Sequence, residues 1–121
     1  MVKVVVDWER RELTAEGHAQ ADLRDGLDPV CLAVSTVVFA LEDEMKILDL
    51  TACLKELEIE GKEKGRYRIR AMPKRGAESV VDSMLTMTVR AVKILATEFP
   101  ENVQVETRSI RIYPVMDEEE D

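Results

Sequence analysis

The chain holds a single imidazole, His18, and two thiols, Cys31 and Cys53. Two of these three groups fall in one short segment: Gly17-His18-Ala19, a polar loop from Gln20 to Leu27 that carries Gly26, then Asp28-Pro29-Val30-Cys31-Leu32-Ala33-Val34-Ser35. A thiol becomes a useful nucleophile when one group takes its proton and another stabilises the thiolate. This segment offers both. Asp28 followed by Pro29 is a strong helix-start signal, because an Asp oxygen accepts orphan backbone amides and proline has no amide to leave unpaired. Cys31 then falls at the third helical residue, where first-turn N–H groups and the positive end of the helix dipole favour an anion. His18 lies thirteen residues upstream, at the end of a predicted strand from Leu13 to His18. A strand end and a helix start joined by one loop can bring imidazole and thiol within hydrogen-bond reach, which is the arrangement of a Cys/His hydrolase.

Each of these residues also has a plainer reading. A cysteine in an apolar helix packs as a small core residue. A histidine beside a glycine simply ends a strand, Gly17 and Gly26 serve as turn residues, and Asp28 is a helix cap and nothing more. Cys53 reads as structural.

The combined pattern, Gly17-His18-Ala19 and then Gly26-Leu27-Asp28-Pro29-Val30-Cys31-Leu32-Ala33-Val34-Ser35, resembles the signature of the ribosomal-processing cysteine proteases, the Prp family. The similarity extends over most of the chain: an N-terminal hairpin, a long apolar helix after the cysteine, a charged hairpin, a second helix and a last strand. The resemblance implies an endopeptidase that removes a short N-terminal extension from large-subunit ribosomal protein number twenty-seven. Carried over by position, Cys31 is the nucleophile and His18 its general base and later its acid. Asp28 and Ser35 are supporting positions, and Gly17 and Gly26 are hinges of a loop that closes on substrate. The resemblance also implies a homodimer. Two positions depart from the pattern: Pro29 stands where the family has an aliphatic residue, and Leu32, where it has a small one, is expected to narrow the site.

The chemistry implied is acyl transfer, with backbone amides at the start of the Asp28 helix as the oxyanion site and no third triad member in evidence. Other chemistries lack their residues. One histidine and two distant cysteines do not make a zinc site, and no metal or other cofactor is expected. The two cysteines are not spaced as a redox pair. Position 37, where a cysteine phosphatase needs arginine, is valine, and no glycine-rich phosphate loop with lysine occurs. Two other functions stay open: the same chemistry on another protein, such as a viral capsid or scaffold protein, and an inactive binding module of the same fold.

With 121 residues the chain is expected to form one domain over 1–116, with an acidic tail over 117–121 that reads as solvated and disordered. The net charge of −8 and an aromatic content of 4% argue against direct nucleic-acid binding. Five of the negative charges sit in the tail, which leaves −3 on the body. An acidic surface suits a basic protein substrate such as a ribosomal protein precursor. No apolar run is long enough for a membrane span, and Met1 to Val6 lacks the build of a signal peptide, so a cytoplasmic protein with reduced thiols is expected.

The elements that must position the segment follow from apolar spacing. Val2, Val4 and Val6 alternate with Lys3, Val5 and Asp7 in a first strand, which turns through Glu9 to Glu12 into the strand that ends at His18. Beyond Cys31, residues Val34, Val37, Val38, Leu41, Met45 and Leu48 recur at helical spacing, which predicts a central, buried helix. Glu56, Glu58 and Glu60 then face Arg66, Arg68 and Arg70 across a turn over 61–65, so opposite charges pair on a solvated face. A second helix is predicted from Ala77 to Phe99, with Val81, Met84, Leu85, Thr88, Val92, Leu95, Ala96 and Phe99 on one continuous apolar face, Met87 also assigned to the core and Pro100 as its stop. Val103 and Val105 open a closing strand, which Ile110, Ile112 and Val115 extend or turn toward a partner subunit. The fold class is α+β, in the order β-β-α-β-β-α-β, with two helices packed on one face of a mainly antiparallel sheet.

Overall fold

Alternating valines build the centre of the sheet. In the computed structural model, which describes residues 1–17, 29–61 and 65–109, Val2, Val4 and Val6 of β1 (Val2–Asp7) are buried while Lys3, Val5 and Asp7 point to the other face. The chain turns at Trp8–Arg11 into β2 (Glu12–Gly17), antiparallel to β1 with Val6 opposite Leu13 and Val2 opposite Gly17. Asp7 closes this turn: its Oδ1 accepts the N–H groups of Glu9 and Arg10 at 3.1 and 3.2 Å. The helix α1 runs over Pro29–Leu50 and is followed by the hairpin of β3 (Leu54–Glu60) and β4 (Arg66–Pro73). The second helix, α2, spans Glu78–Glu98, and β5 (Val103–Arg108) closes the order β-β-α-β-β-α-β.

The strands form one five-stranded sheet in the order β3-β4-β2-β1-β5. Three pairings are antiparallel, and the β1–β5 pairing is parallel, so the sheet is mixed. Both helices cover one face. Val34, Val38, Leu41 and Met45 of α1 and Val81, Leu85, Val89 and Val92 of α2 join the inward residues of the strands in one core. The other face carries charge in columns set by the register: Glu58 stands opposite Arg70, Glu60 opposite Arg68, and Thr14 opposite Arg68. Arg68 pairs with Glu12, with Glu58 at 2.9 Å and with Glu60 at 3.3 Å. The expected Glu–Arg pairing across the β3–β4 hairpin is present, and it extends to β2.

Several burial expectations are corrected. Met87, assigned to the core, is 70% exposed, because α2 turns it outward while Val89 and Asp82 take inward positions, and Phe99, placed on the same apolar face, is exposed at the C-cap just past the end of α2. The start of α1 is less buried than its apolar run suggests: Leu32 is 57% exposed and Ala40 is exposed. Two acids are buried instead, Glu42 in α1 and Asp82 in α2. Asp82 takes a bidentate pair of hydrogen bonds from Arg11, at 2.7 and 3.0 Å, which ties α2 to the β1–β2 turn. The expected helix cap Asp28, the loop from Gln20 to Leu27, the extension through Ile110, Ile112 and Val115, and the acidic tail over 117–121 lie outside the described residues.

Candidate active site

Pro29 is the first residue of α1, as its fixed φ and missing N–H favour, and Cys31 is therefore the third. Ser35 follows one helical turn later on the same side. Both line a cleft of about 150 Å³ between the first turns of α1 and the end of the sheet. The helix contributes Cys31, Val34, Ser35, Val38 and Phe39 to it. The sheet contributes Val2, Ala15, Glu16 and Gly17 on one side and Gly61, Gly65, Arg66 and Tyr67 on the other. Cys31 is half-buried, and both cysteines are free thiols.

Gly17 is required by the backbone. Its φ is +94°, and an ideal Cβ there would collide with the carbonyl oxygen of Met1. The Gly17 N–H donates to the Gly65 carbonyl at 2.9 Å, which ties β2 to the β3–β4 turn at the cleft rim. Of the six residues singled out from the sequence, Cys31, Ser35 and Gly17 thus meet in one cleft, while His18, Gly26 and Asp28 lie outside the described residues. Leu32 is not among the residues lining the cleft and points to solvent, so the expected narrowing by its bulk is not found.

The structure adds residues that the sequence pattern does not single out. Tyr67 and Phe39 meet edge to face in the cleft wall, with ring centroids 5.7 Å apart and planes at 73°. The Tyr67 hydroxyl donates to Glu42 Oε1 at 2.9 Å, and Lys46 Nζ lies 2.8 Å from Glu42 Oε2. Burial, then the hydrogen bond to Glu42 and its charge, push the Tyr67 phenol far above its ordinary range, so it is a neutral donor. A sequence signal for Glu42 does exist: it continues the inward positions Val34, Val38, Leu41 and Met45. A wider groove of about 550 Å³ runs along the outer side of α1 and α2, lined by Val37, Ala40, Leu41, Met84, Met87 and Ala91 among others. No cysteine lines it, whereas Cys31 lines the smaller cleft.

Residues 1–104 match the sequence profile of the family described as cysteine protease Prp. The chain belongs to the Prp family. It is accordingly a cysteine peptidase by family, and Cys31 lies in the matched region. Solved Prp structures share its fold. The ribosomal processing protease Prp from S. aureus, in complex with a covalently linked product peptide, superposes with a TM-score of 0.71 at 19% identity, over 89% of this chain and 100% of that one. The same protease with a substrate peptide gives 0.67 at 17%, over 89% and 100%. SMU.848 from Streptococcus mutans gives 0.60 at 22%, over 88% and 91%. No curated protein sequence matches the chain.

Proposed function

We propose that this chain is the endopeptidase that removes a short N-terminal extension from large-subunit ribosomal protein number twenty-seven, with Cys31 as nucleophile and His18 as general base. The observation that carries this reading is the cleft itself: the thiol at the third residue of α1 shares it with Gly17, to which His18 is joined by one peptide bond. The Cys31 thiolate attacks the scissile carbonyl, forming an S–C bond while first-turn amides of α1 stabilise the oxyanion. His18, carrying the thiol proton, passes it to the departing amine as the C–N bond breaks. Water then gives a proton to His18 and its oxygen to the thioester, which frees the acid and restores the thiol. Each step uses only the thiol, the imidazole, the first-turn amides and water.

The solved S. aureus relatives with product and substrate peptides support a peptide-binding role for this fold. The excess of acidic residues supports a basic protein as substrate. We place the reaction in the cytoplasm, since ribosomal precursors are made there and among the described residues no helix is long and apolar enough to cross a membrane. The outer groove of α1 and α2 supports a homodimer, because a contiguous apolar strip of this kind is best buried against a second copy.

The test is mass spectrometry of the ribosomal precursor from the same organism after incubation with the wild-type chain, Cys31→Ala and His18→Ala. A shortened N-terminus in the wild-type reaction alone is expected. Full cleavage by either variant would refute the mechanism, and an intact precursor with all three would refute the substrate.

A further inference from the structure

Glu42 sits about three helical turns beyond Cys31 and is 2% exposed. Burying a carboxylate is costly unless its oxygens are paired, and a hydrocarbon at this position would pack in the same inward stripe without that cost. Lys46 is half exposed and would reach a surface carboxylate equally well. What burial adds is access to Tyr67, whose hydroxyl donates to Glu42 Oε1 at 2.9 Å. The Tyr67 ring forms part of the cleft that holds Cys31 and Ser35. Phe39, one turn before Glu42 on α1, meets the same ring edge to face and lines the same cleft. One helix therefore holds the ring at two points, its hydroxyl through Glu42 and its edge through Phe39.

We infer that Glu42 is a positioning residue for the cleft: acting through Tyr67, it fixes the sheet-side wall and so sets the size of the side chain admitted beside Cys31. A ring held by packing alone tilts to suit its neighbours, whereas a charge-assisted hydrogen bond from the phenol gives it one orientation. This rests on the reading of Cys31 as the nucleophile, but it needs no particular protein substrate.

The experiment uses two alkylating probes on the full chain, iodoacetamide and the bulkier N-benzyl iodoacetamide, with the rate at Cys31 followed by mass spectrometry of its own peptide so that Cys53 does not contribute. The ratio of the two rates reports the shape of the cleft, and the iodoacetamide rate normalises for thiol reactivity. Tyr67→Phe and Glu42→Leu are expected to change the ratio by about tenfold, the factor that one hydrogen bond to a charged group represents. Glu42→Gln keeps an acceptor oxygen but loses the charge, and is expected to fall between the wild type and Glu42→Leu, with a change of about threefold. The double variant Glu42→Leu with Tyr67→Phe is expected to match the single variants, because both act through one contact. A wild-type ratio in Tyr67→Phe, a Glu42→Gln as altered as Glu42→Leu, or additive effects in the double variant would each overturn the inference. So would a Cys31 inert to both probes in every folded variant, since such a cleft admits nothing to the thiol. Failure of the wild-type chain to cleave the ribosomal precursor would count against the substrate and leave the ratio standing.

Discussion

A Cβ at Gly17 has nowhere to go. The residue combines φ +94° with the Met1 carbonyl in the space a side chain would fill, whereas Gly76 has a similar φ of +96° and open space around it. The two positions separate backbone strain from collision. Gly76→Ala is expected to cost about 1 kcal/mol for the left-handed conformation alone. Gly17→Ala carries the collision as well and is expected to cost about 2–4 kcal/mol, with a fall in melting temperature of roughly 8–20 °C. Thermal melts of the two variants check this, and equal losses would mean that the contact with Met1 is easily relieved. At the same scale, the part of the site legible in the sequence was the part coded locally. Asp28-Pro29 announces a helix and places Cys31 at its third residue without any knowledge of the rest of the fold. The burial of Glu42 was legible from the inward stripe of α1, but its link to the cleft was not, because its partner Tyr67 is 25 positions away in the chain. The outward turn of Leu32, by contrast, is local: it stands about 200° round the helix from Val34, outside the inward stripe.

Alternation and helical spacing are local signals too, and the seven elements were legible from them. That a row of Glu faces a row of Arg followed from the hairpin, whereas the register, Glu58 against Arg70 and Glu60 against Arg68, did not, and Pro100 marked the end of α2 correctly. The parallel seat of β5 beside β1 was less visible, since nothing in Val103 and Val105 names a partner strand. The end of α1 illustrates a different gap. Ala52 adopts φ +64°, its N–H reaches the Asp49 carbonyl at 3.1 Å, and the Cys53 N–H reaches the Leu48 carbonyl at 2.8 Å. This is the pattern of a Schellman cap, in which glycine is the usual occupant of the left-handed position. An alanine there gives no sequence signal, and it carries the strain that glycine would avoid. Ala52→Gly is therefore expected to stabilise the chain by about 0.5–1 kcal/mol even though glycine loosens the unfolded state. The shift in urea midpoint measures it, and a destabilised variant would show that the Ala52 methyl makes contacts that outweigh its strain.

For the whole molecule, charge and apolar surface lead to separate expectations. Several carboxyls sit below their ordinary range in the folded chain: Glu58 through its hydrogen bond from Arg68, Glu106 through Arg108 and Lys3, and Glu78 through backbone N–H groups including that of Gly76. Asp7 joins them: burial alone would raise it, but the N–H groups of Arg10 and Glu9 and the Ser109 hydroxyl together prevail. A depressed folded value stabilises the fold above the unfolded pKa of about 4 and is lost as pH falls through the folded value. The urea midpoint is thus expected to be flat from pH 7 to 5 and to fall below about pH 4. The columns of Glu and Arg on the open sheet face neutralise one another, which leaves little to recruit a charged partner there. The helical side differs. Met87 at 70% exposure and Ile94 at 64% sit on the outward side of α2, and Val37, Ala40, Leu41 and Met84 line the groove that α1 and α2 form with Met87. Such a strip can be covered by a second copy of itself, since a two-fold axis brings the same patch to both partners. Met87→Glu would place two like charges near that axis while leaving the core untouched, because the side chain already stands in solvent. Light scattering is expected to give twice the chain mass for the wild type and the single-chain mass for the variant, with unchanged circular dichroism. A wild-type chain that runs as a monomer at micromolar concentration would remove the homodimer from the proposal and leave the cleft chemistry at Cys31 as it stands.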